Sequence, residues 1–301
     1  MMQNLAETGA VNNTAKSNLR RLQEIELDIL KRFLSICEQY SLTYYMLGGT
    51  LLGAVRHQGF IPWDDDIDIG MPRPDYERFL AIAEQELSFP YRLHTLNTPG
   101  CAYSYYYARM ENETVKLERN VSFRPVVICA WIDIFPLDAV PDDIKTRNRW
   151  LKKCTFYYNA FIASQFSYLA VPEKKKRSFW KKSVRWVIEH THAEKIISTR
   201  LIWKQFDRAL RQNDFDKCRS IINFCGYWKL KEMFPKTIYG KGKLYPFEDL
   251  FLNGPEDADF VLRQMYGDYM TPPEETQREH HYITFITDGD TIDTGKEDKK
   301  Q

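Results

Sequence analysis

The chain has 301 residues, 44% of them apolar, which is enough to bury a sizeable core in one large domain or two modest ones. Its formal net charge is only +1, whereas a dedicated nucleic-acid-binding protein would be strongly basic, so we predict no nucleic-acid partner. The six cysteines show no zinc or redox spacing and are typical of core residues in a reducing compartment. Neither a signal peptide nor a membrane-spanning run is recognisable, and we therefore expect a cytoplasmic protein.

The pattern of the chain predicts four segments. Residues 1–17 are polar and aperiodic and are expected to be disordered. Apolar residues at helical spacing then predict a helix over 18–39, which opens a core domain over 18–140. Residues 141–286 carry mainly helical patterns and are expected to pack on that core. The polar tail 287–301 is again expected to be disordered.

A glycine turn follows the first helix. The run 43–47 contains β-branched and aromatic residues and predicts a short strand, which Gly48 and Gly49 end. Thr50 is the predicted N-cap of a helix that Gly59 closes at its C-terminal end. Such a Gly-Gly pair is most often only a turn. Because the glycines also expose N–H groups at the positive end of the helix, the turn is a candidate phosphate site.

Four aspartates follow this turn within residues 64–68. From Asp66 onward acidic and apolar residues alternate, so in a strand Asp66 and Asp68 share one face. Ile67 and Ile69 then point into a core. Two carboxylates on one edge of a buried strand repel each other unless a cation lies between them. Since oxygen ligands favour Mg²⁺ or Mn²⁺ over zinc, the pattern predicts a hard divalent cation at these two aspartates.

The most apolar run of the first half contains one acid that fits the same site. Residues 126–137 predict a buried strand, and Asp133 lies within it. A buried aspartate is costly unless it is paired or bound to a metal, so Asp133 is the predicted third ligand. The alternative is a hydrogen-bonded structural aspartate. Asp138 follows Pro136 and is interpreted as a turn residue.

Several shorter sequence patterns predict further helices and strands in both halves of the chain. Pro74 is placed to open a helix at its first turn. The basic segment 174–189 resembles an amphipathic membrane-surface helix, although a solvated face packed on the domain explains it better, and peripheral membrane contact at the inner face stays open as the alternative. Further strands are predicted at 91–95, 103–110, 115–117 and 238–252, and further helices at 143–165, 173–190, 193–212 and 256–266.

Three stretches resemble the LicD family, the phosphorylcholine transferases that modify bacterial teichoic acids and lipopolysaccharide. They are GGTLLGAVRHQGFIPWDDDIDIGMPRPDYERF at 48–79, WIDIFPLD at 131–138 and YGDYMTPPEE at 266–275. The family is related to the fukutin-type ribitol-phosphate transferases and similar to the nucleotidyltransferase superfamily. The resemblance implies an α+β fold, with a nucleotidyltransferase-like small mixed sheet flanked by helices and a mainly helical C-terminal portion.

The resemblance also implies a reaction. Phosphocholine, or a similar alcohol phosphate, would move from CDP-choline or a related CDP-alcohol to a hydroxyl of a cell-surface glycan such as teichoic acid, lipopolysaccharide or a capsule precursor, releasing CMP. We expect Asp66, Asp68 and Asp133 to be the catalytic residues and to bind Mg²⁺ or Mn²⁺ on the phosphates. Asp133 is also a candidate to take the proton of the acceptor hydroxyl.

Other residues near this signature are candidates for substrate binding. Tyr105 to Tyr107 would stack on a base or on choline, or would be half-buried strand residues, and Arg109 would bind a phosphate or be a surface charge. The phosphate-binding residues are expected to be Gly48, Gly49, Thr50 and Arg56.

Two other functions are compatible with parts of the pattern. A sugar-nucleotide glycosyltransferase also binds its metal through an Asp-x-Asp motif, although its nucleotide-binding unit would normally precede that motif by a longer segment. A non-catalytic carbohydrate-binding or assembly protein is the third hypothesis. It is disfavoured because all three expected acids are present.

Overall fold

The computed structural model describes residues 2–96, 98, 105–119, 126–164, 198–275 and 283–286. Its helices are α1 (Met2–Gln39), α2 (Gly48–His57), α3 (Arg73–Glu86), α4 (Ile144–Ser164), α5 (Thr199–Leu210), α6 (Lys236–Tyr239) and α7 (Ala258–Tyr266). Its strands are β1 (Tyr45–Met46), β2 (Asp68–Pro72), β3 (Tyr91–His94), β4 (Ala108–Arg119), β5 (Val126–Val140), β6 (Ser220–Ile222), β7 (Met233–Pro235), β8 (Lys243–Phe247), β9 (Leu250–Gly254) and β10 (Ile283–Phe285). A 3-10 turn spans Lys229–Glu232.

The main sheet is mixed, and its centre is the parallel pair β2 and β5. The strand order is β1-β2-β5-β4-β10, with β3 on β4 and with β6 and β7 continuing from the end of β5. All of these other pairings are antiparallel. A second, two-stranded sheet is formed by β8 and β9. Helices pack against the sheet, which confirms the predicted α+β fold.

Helix α1 packs on the sheet through one apolar stripe. Ile29, Phe33 and Ile36 recur at helical spacing and are completely buried, and the helix contacts β5. Each such side chain stabilises the fold by roughly 1.5–3 kcal/mol through removal of its apolar surface from water. The helix ends at Gln39 as predicted. It begins at Met2, and therefore also includes residues 2–17, which the sequence predicted to be disordered.

The strands of the first half follow the predicted order with one difference. Residues 108–110 and 115–117, which the sequence placed in two strands, belong to a single strand, β4, while 105–107 precede it and 103–104 lie outside the described residues. Its register against β5 shifts between Asn112 and Lys116, and such a bulge interrupts the alternation that defines a strand in a sequence. Pro74 lies in the first turn of α3, as predicted.

The second half contains both helices and short strands among its described residues. The predicted helices at 143–165, 193–212 and 256–266 appear as α4, α5 and α7, and the strand-like region at 238–252 contains the β8–β9 hairpin. In addition, β6 pairs with the last residues of β5, so the main sheet continues past residue 140. The predicted helix at 173–190 and the tail at 287–301 lie outside the described residues. No helix among the described residues has both the length and the apolarity needed to cross a membrane.

Asp138 is not the turn residue that the sequence predicted. It lies in β5, is 1% exposed, and accepts two hydrogen bonds from Arg73 at the start of α3, with Nε to Oδ1 at 2.7 Å and Nη2 to Oδ2 at 2.8 Å. Pro136 does not end the strand, because β5 pairs with β2 on one side there and is free to bend. The ion pair thus fixes α3 to the centre of the sheet.

Replacing Arg73 with methionine is expected to destabilise the protein by about 3–5 kcal/mol, because the Asp138 carboxylate would remain buried without its counter-ion. The measurement is the free energy of unfolding in urea. The matched control is Arg263→Met, which breaks an exposed pair with Asp259 on α7 and is expected to leave the unfolding midpoint unchanged. Equal midpoints for the two variants would contradict a structural role for the buried pair.

Candidate active site

All the predicted site residues except Thr50 line one cavity of about 950 Å³. This volume is typical of a site for a small organic ligand. Its walls come from α2 and the turn before it, the aspartate segment 64–68, the middle of β5, the segment 223–232, and α7 with the residues that follow it. These parts of the chain are far apart in the sequence and are brought together by the pairing of β2 with β5.

Three aspartates converge at this cavity. The parallel register places Asp68 of β2 directly opposite Asp133 of β5, and Asp66 precedes Asp68 by two residues. One carboxylate oxygen from each of Asp66, Asp68 and Asp133 lies within 4.8 Å of the other two. The cluster therefore combines two aspartates from the alternating segment with one from β5, and no short segment of the sequence contains all three. Asp64, Asp65 and Asp66 form a second group with the same spacing of oxygens.

The electrostatics of the cluster favour a cation. Desolvation raises the pKa of Asp68 well above its ordinary value, and the nearby charges of Asp66 and Asp133 raise it further. Removing this repulsion requires either protonation or a positive charge between the carboxylates. The donor set consists of carboxylate oxygens, which fits Mg²⁺ or Mn²⁺ and does not favour softer metals.

Arg109 is a partner of Asp133 and not a surface charge. Its Nε donates to Asp133 Oδ1 at 2.6 Å and its Nη2 to Oδ2 at 3.3 Å, and the arginine is 2% exposed. The guanidinium lies 3.4 Å from the ring centre of Tyr105 and 4.5 Å from that of Trp131. The hydroxyl of Tyr107 also donates to Asp133 Oδ2, at 3.4 Å. Both oxygens of this aspartate are therefore already engaged by donors, which disfavours it as a proton acceptor.

The two glycines allow the aspartates to approach α2. Gly48 has a φ of +48°, and a Cβ there would lie 2.9 Å from Asp68 Oδ2. A Cβ on Gly49 would lie 2.4 Å from Asp64 Oδ2, which is closer than real Cβ contacts come. Any larger residue at either position would displace a carboxylate.

Thr50 and Gly59 do not have the capping roles predicted for them. The helix begins two residues earlier than Thr50, with Leu47 as its N-cap, because the glycines themselves form its first turn. Thr50 Oγ1 instead accepts a hydrogen bond from the backbone N–H of Asp68 at 2.8 Å, so it positions the start of β2. At the other end the left-handed residue is Gln58, with φ of +59°, and not Gly59.

Arg56 lines the cavity from the last turn of α2. Its Nη1 donates to the backbone oxygen of Tyr269 at 2.6 Å, and its Nε donates to His57 Nε2 at 2.9 Å. Burial lowers its pKa from the ordinary value. The side chain thus connects α2 to the segment after α7 and places a positive charge at the cavity wall.

For several cavity residues the sequence predicted no role in the site, or left the role undecided. Tyr106 and Tyr107 face the cavity, and the ring of Tyr107 lies 4.2 Å from that of Phe135. Across segments far apart in sequence, Trp228 packs edge-on against Tyr266 with ring centres 5.4 Å apart. No local pattern marks these residues as neighbours. We refer to six of the cavity-lining aromatic side chains as the aromatic wall, namely Tyr106, Tyr107, Phe135, Tyr158, Trp228 and Tyr266.

Comparisons with known proteins identify the family of this chain. Residues 41–179 match the family model described as LicD/FKTN/FKRP, nucleotidyltransferase domain. Over 271 residues the chain is 31% identical to a protein of Haemophilus influenzae named lipopolysaccharide cholinephosphotransferase LicD, an alignment that covers 88% of this chain and 97% of that relative. Human ribitol 5-phosphate transferase FKRP is 47% identical over 36 residues, which cover 12% of this chain and 7% of that protein. From the near-complete alignment with the Haemophilus protein, we conclude that this chain belongs to the LicD family.

Proposed function

We propose that this protein is a metal-dependent phosphotransferase that moves phosphocholine from CDP-choline to a hydroxyl of a cell-surface glycan and releases CMP. The observation that carries the proposal is the convergence of Asp66, Asp68 and Asp133 in one cavity. The printed name of the Haemophilus relative, a lipopolysaccharide cholinephosphotransferase, supports the choice of donor and acceptor class. A teichoic acid or a capsule precursor is the other acceptor class that this chemistry would serve.

The three aspartates are the proposed ligands of Mg²⁺ or Mn²⁺. When bound, the cation supplies positive charge to the phosphate oxygens of the donor and lowers the cost of the charge that develops in transfer. Thr50 holds Asp68 through its backbone, and Arg109 holds Asp133 through its carboxylate, so both ligands are oriented before the donor arrives. Preorganised charges of this kind are a large part of phosphoryl-transfer catalysis.

Gly48, Gly49 and Arg56 are the proposed phosphate-binding residues. The helix α2 begins at the two glycines, so its free N–H groups and the positive end of its dipole lie beside the aspartate cluster. Arg56 adds a cation at the cavity wall. A diphosphate held between these groups and the cation would have its charge compensated from two sides.

The aromatic wall is the proposed binding surface for the choline group. A quaternary ammonium is attracted to the faces of tyrosine and tryptophan rings and has no hydrogen-bond donor to satisfy. The ring of Tyr158 already has a cation on its face, since Lys229 Nζ lies 3.8 Å from its centre. Tyr107 reaches from this wall to Asp133, which joins the proposed choline surface to the metal ligands.

The test is a transfer assay with purified protein, Mg²⁺ or Mn²⁺, CDP-choline and lipopolysaccharide or teichoic acid that lacks phosphocholine. We expect CMP to be released and the glycan to gain the mass of phosphocholine, and we expect EDTA to stop both. CDP-ribitol, CDP-glycerol and UDP-glucose serve as competing donors. Transfer of glucose from UDP-glucose in preference to any CDP-linked donor would replace the proposal with a glycosyltransferase.

Asp66→Asn is the variant for this assay, and it is expected to lose at least about 100-fold in transfer rate because one oxygen ligand loses its charge. The matched control is Asp216→Asn, which alters an exposed aspartate outside the cavity and is expected to keep the wild-type rate. Full activity of Asp66→Asn with every donor would refute the metal mechanism.

A further inference from the structure

Glu232 is a buried carboxyl group in the wall of the same cavity. It lies at the end of the 3-10 turn, is 6% exposed, and lines the cavity with Asp66 and Asp68. Its charge is close enough to Asp68 to raise the pKa of that residue. Unlike the three clustered aspartates, it belongs to neither group of acids whose oxygens are spaced to hold a cation.

The surroundings of Glu232 are arranged around its carboxylate. The backbone N–H of Trp228 donates to Oε1 at 2.9 Å. A Cβ on Gly226 would lie only 2.1 Å from that oxygen, so the chain passes this close only because residue 226 is glycine. The side chain of Asn223 is a further hydrogen-bond partner.

Burial raises the pKa of Glu232 to about 7, and the Trp228 N–H, the Asn223 side chain and the Lys229 ammonium partly offset that effect. Its charge is also felt by groups on the neighbouring elements, namely Asp68, Cys225, Tyr239 and Tyr266. A carboxyl group that titrates near the working pH is suited to accept and release a proton.

Transfer to a glycan hydroxyl requires a proton acceptor, and the three clustered aspartates are poorly placed for that role. Asp66 and Asp68 are the proposed cation ligands. Both oxygens of Asp133 receive hydrogen bonds, from Arg109 and from Tyr107. Glu232 lines the cavity and is held by two neutral donors, the backbone N–H of Trp228 and the Asn223 side chain, whereas Asp133 is held by a guanidinium.

We propose that Glu232 is the general base of the reaction. This assignment rests on the proposed phosphotransferase function. The Glu232 carboxylate takes the proton of the acceptor hydroxyl while the hydroxyl oxygen forms a bond to the phosphorus of the phosphocholine group. The bond from that phosphorus to the bridging oxygen breaks, its electron pair leaves with CMP, and Glu232 later returns the proton to solvent.

The test compares Glu232→Gln with wild type across pH 5.5 to 9 in roughly half-unit steps, a range that brackets the expected transition. Glutamine keeps an acceptor oxygen for the Trp228 N–H and loses only the ability to take a proton. We expect kcat to fall about 100-fold or more while KM for CDP-choline changes less than about twofold. The wild-type kcat is expected to fall below pH of about 7, and the variant is expected to lose this dependence.

Glu248→Gln is the matched control, since Glu248 also binds a backbone N–H, that of Phe60, but does not line the cavity. It is expected to keep the wild-type rate and pH profile. A Glu232→Gln variant with more than half of the wild-type kcat and an unchanged pH profile would overturn the assignment.

Two further readouts separate this assignment from the proposed function. Trp228 contacts Glu232, so its fluorescence is expected to change with a midpoint near pH 7 in wild type and not in Glu232→Gln. If that midpoint is absent, the assignment is overturned even if transfer occurs. If the midpoint is present but CDP-choline supports no transfer, only the donor and acceptor proposed above are removed.

The pKa of Glu232 is higher in the folded than in the unfolded protein, so its protonated form contributes stability to the fold. That contribution is fully present below the pKa of the unfolded state and is lost as pH rises through about 7. Glu232→Gln is therefore expected to melt higher than wild type at pH 8, which shows that it folds.

Discussion

Replacing Asp68 with asparagine is expected to abolish phosphate transfer and, at the same time, to make the metal-free protein more stable. Transfer should fall by about 1,000-fold or more, because the variant loses the negative charge of Asp68, the proposed cation ligand that lies in β2 and lines the cavity. Stability should rise because the charge of Asp68 no longer opposes those of Asp66 and Asp133. A gain of about 1 kcal/mol corresponds to a rise of roughly 1.5 °C in Tm for a chain of 301 residues.

The measurement is thermal unfolding of wild type and Asp68→Asn in EDTA and in excess Mg²⁺, together with the transfer assay. Wild type is expected to gain Tm on adding Mg²⁺, since a ligand that binds only the folded state stabilises it. Asp68→Asn should gain little. The control is again Asp216→Asn, which should respond to Mg²⁺ as wild type does. A lower Tm for Asp68→Asn than for wild type in EDTA would contradict this prediction, because it would show that the Asp68 carboxylate stabilises the fold and does not destabilise it through charge repulsion.

Replacing Arg109 with methionine is expected to destabilise the metal-free protein by about 3–5 kcal/mol, since the Asp133 carboxylate would remain buried without a positive partner. The loss should be smaller in Mg²⁺, because a cation bound at the aspartate cluster would then compensate the same charge. Urea unfolding in EDTA and in Mg²⁺ measures the difference. The expected signature is a dependence of the variant's stability on Mg²⁺ that exceeds that of wild type.

Arg109→Lys is the informative companion to this variant. Lysine keeps the charge but loses the two-pronged contact with Asp133 and the stacking on Tyr105 and Trp131. It is expected to be less destabilised than Arg109→Met and to show reduced transfer, because the orientation of Asp133 would no longer be fixed. If both variants were destabilised equally and independently of Mg²⁺, the link between Arg109 and the cation site would be wrong.

The sequence alone was sufficient wherever the information is local. Helical spacing identified α1, α4, α5 and α7, and the alternation of Asp66 with apolar neighbours gave the face on which the acids lie. Asp133 was recognisable because one charged residue in an apolar strand is costly without a partner. The LicD signature determined the family, and the comparisons agree with it.

The tertiary structure decided which charges meet. Arg109 and Asp138 were read from the sequence as a phosphate ligand or surface charge and as a turn residue, yet both are buried in ion pairs, the first with Asp133 and the second with Arg73. Glu232 carried no signal at all, because its burial arises from the packing of the 3-10 turn at 229–232 against α7 and β6. The physical reason is common to these cases. The free energy of a charged side chain depends on its distance to other charges and to water, and a sequence specifies neither until the strands have paired.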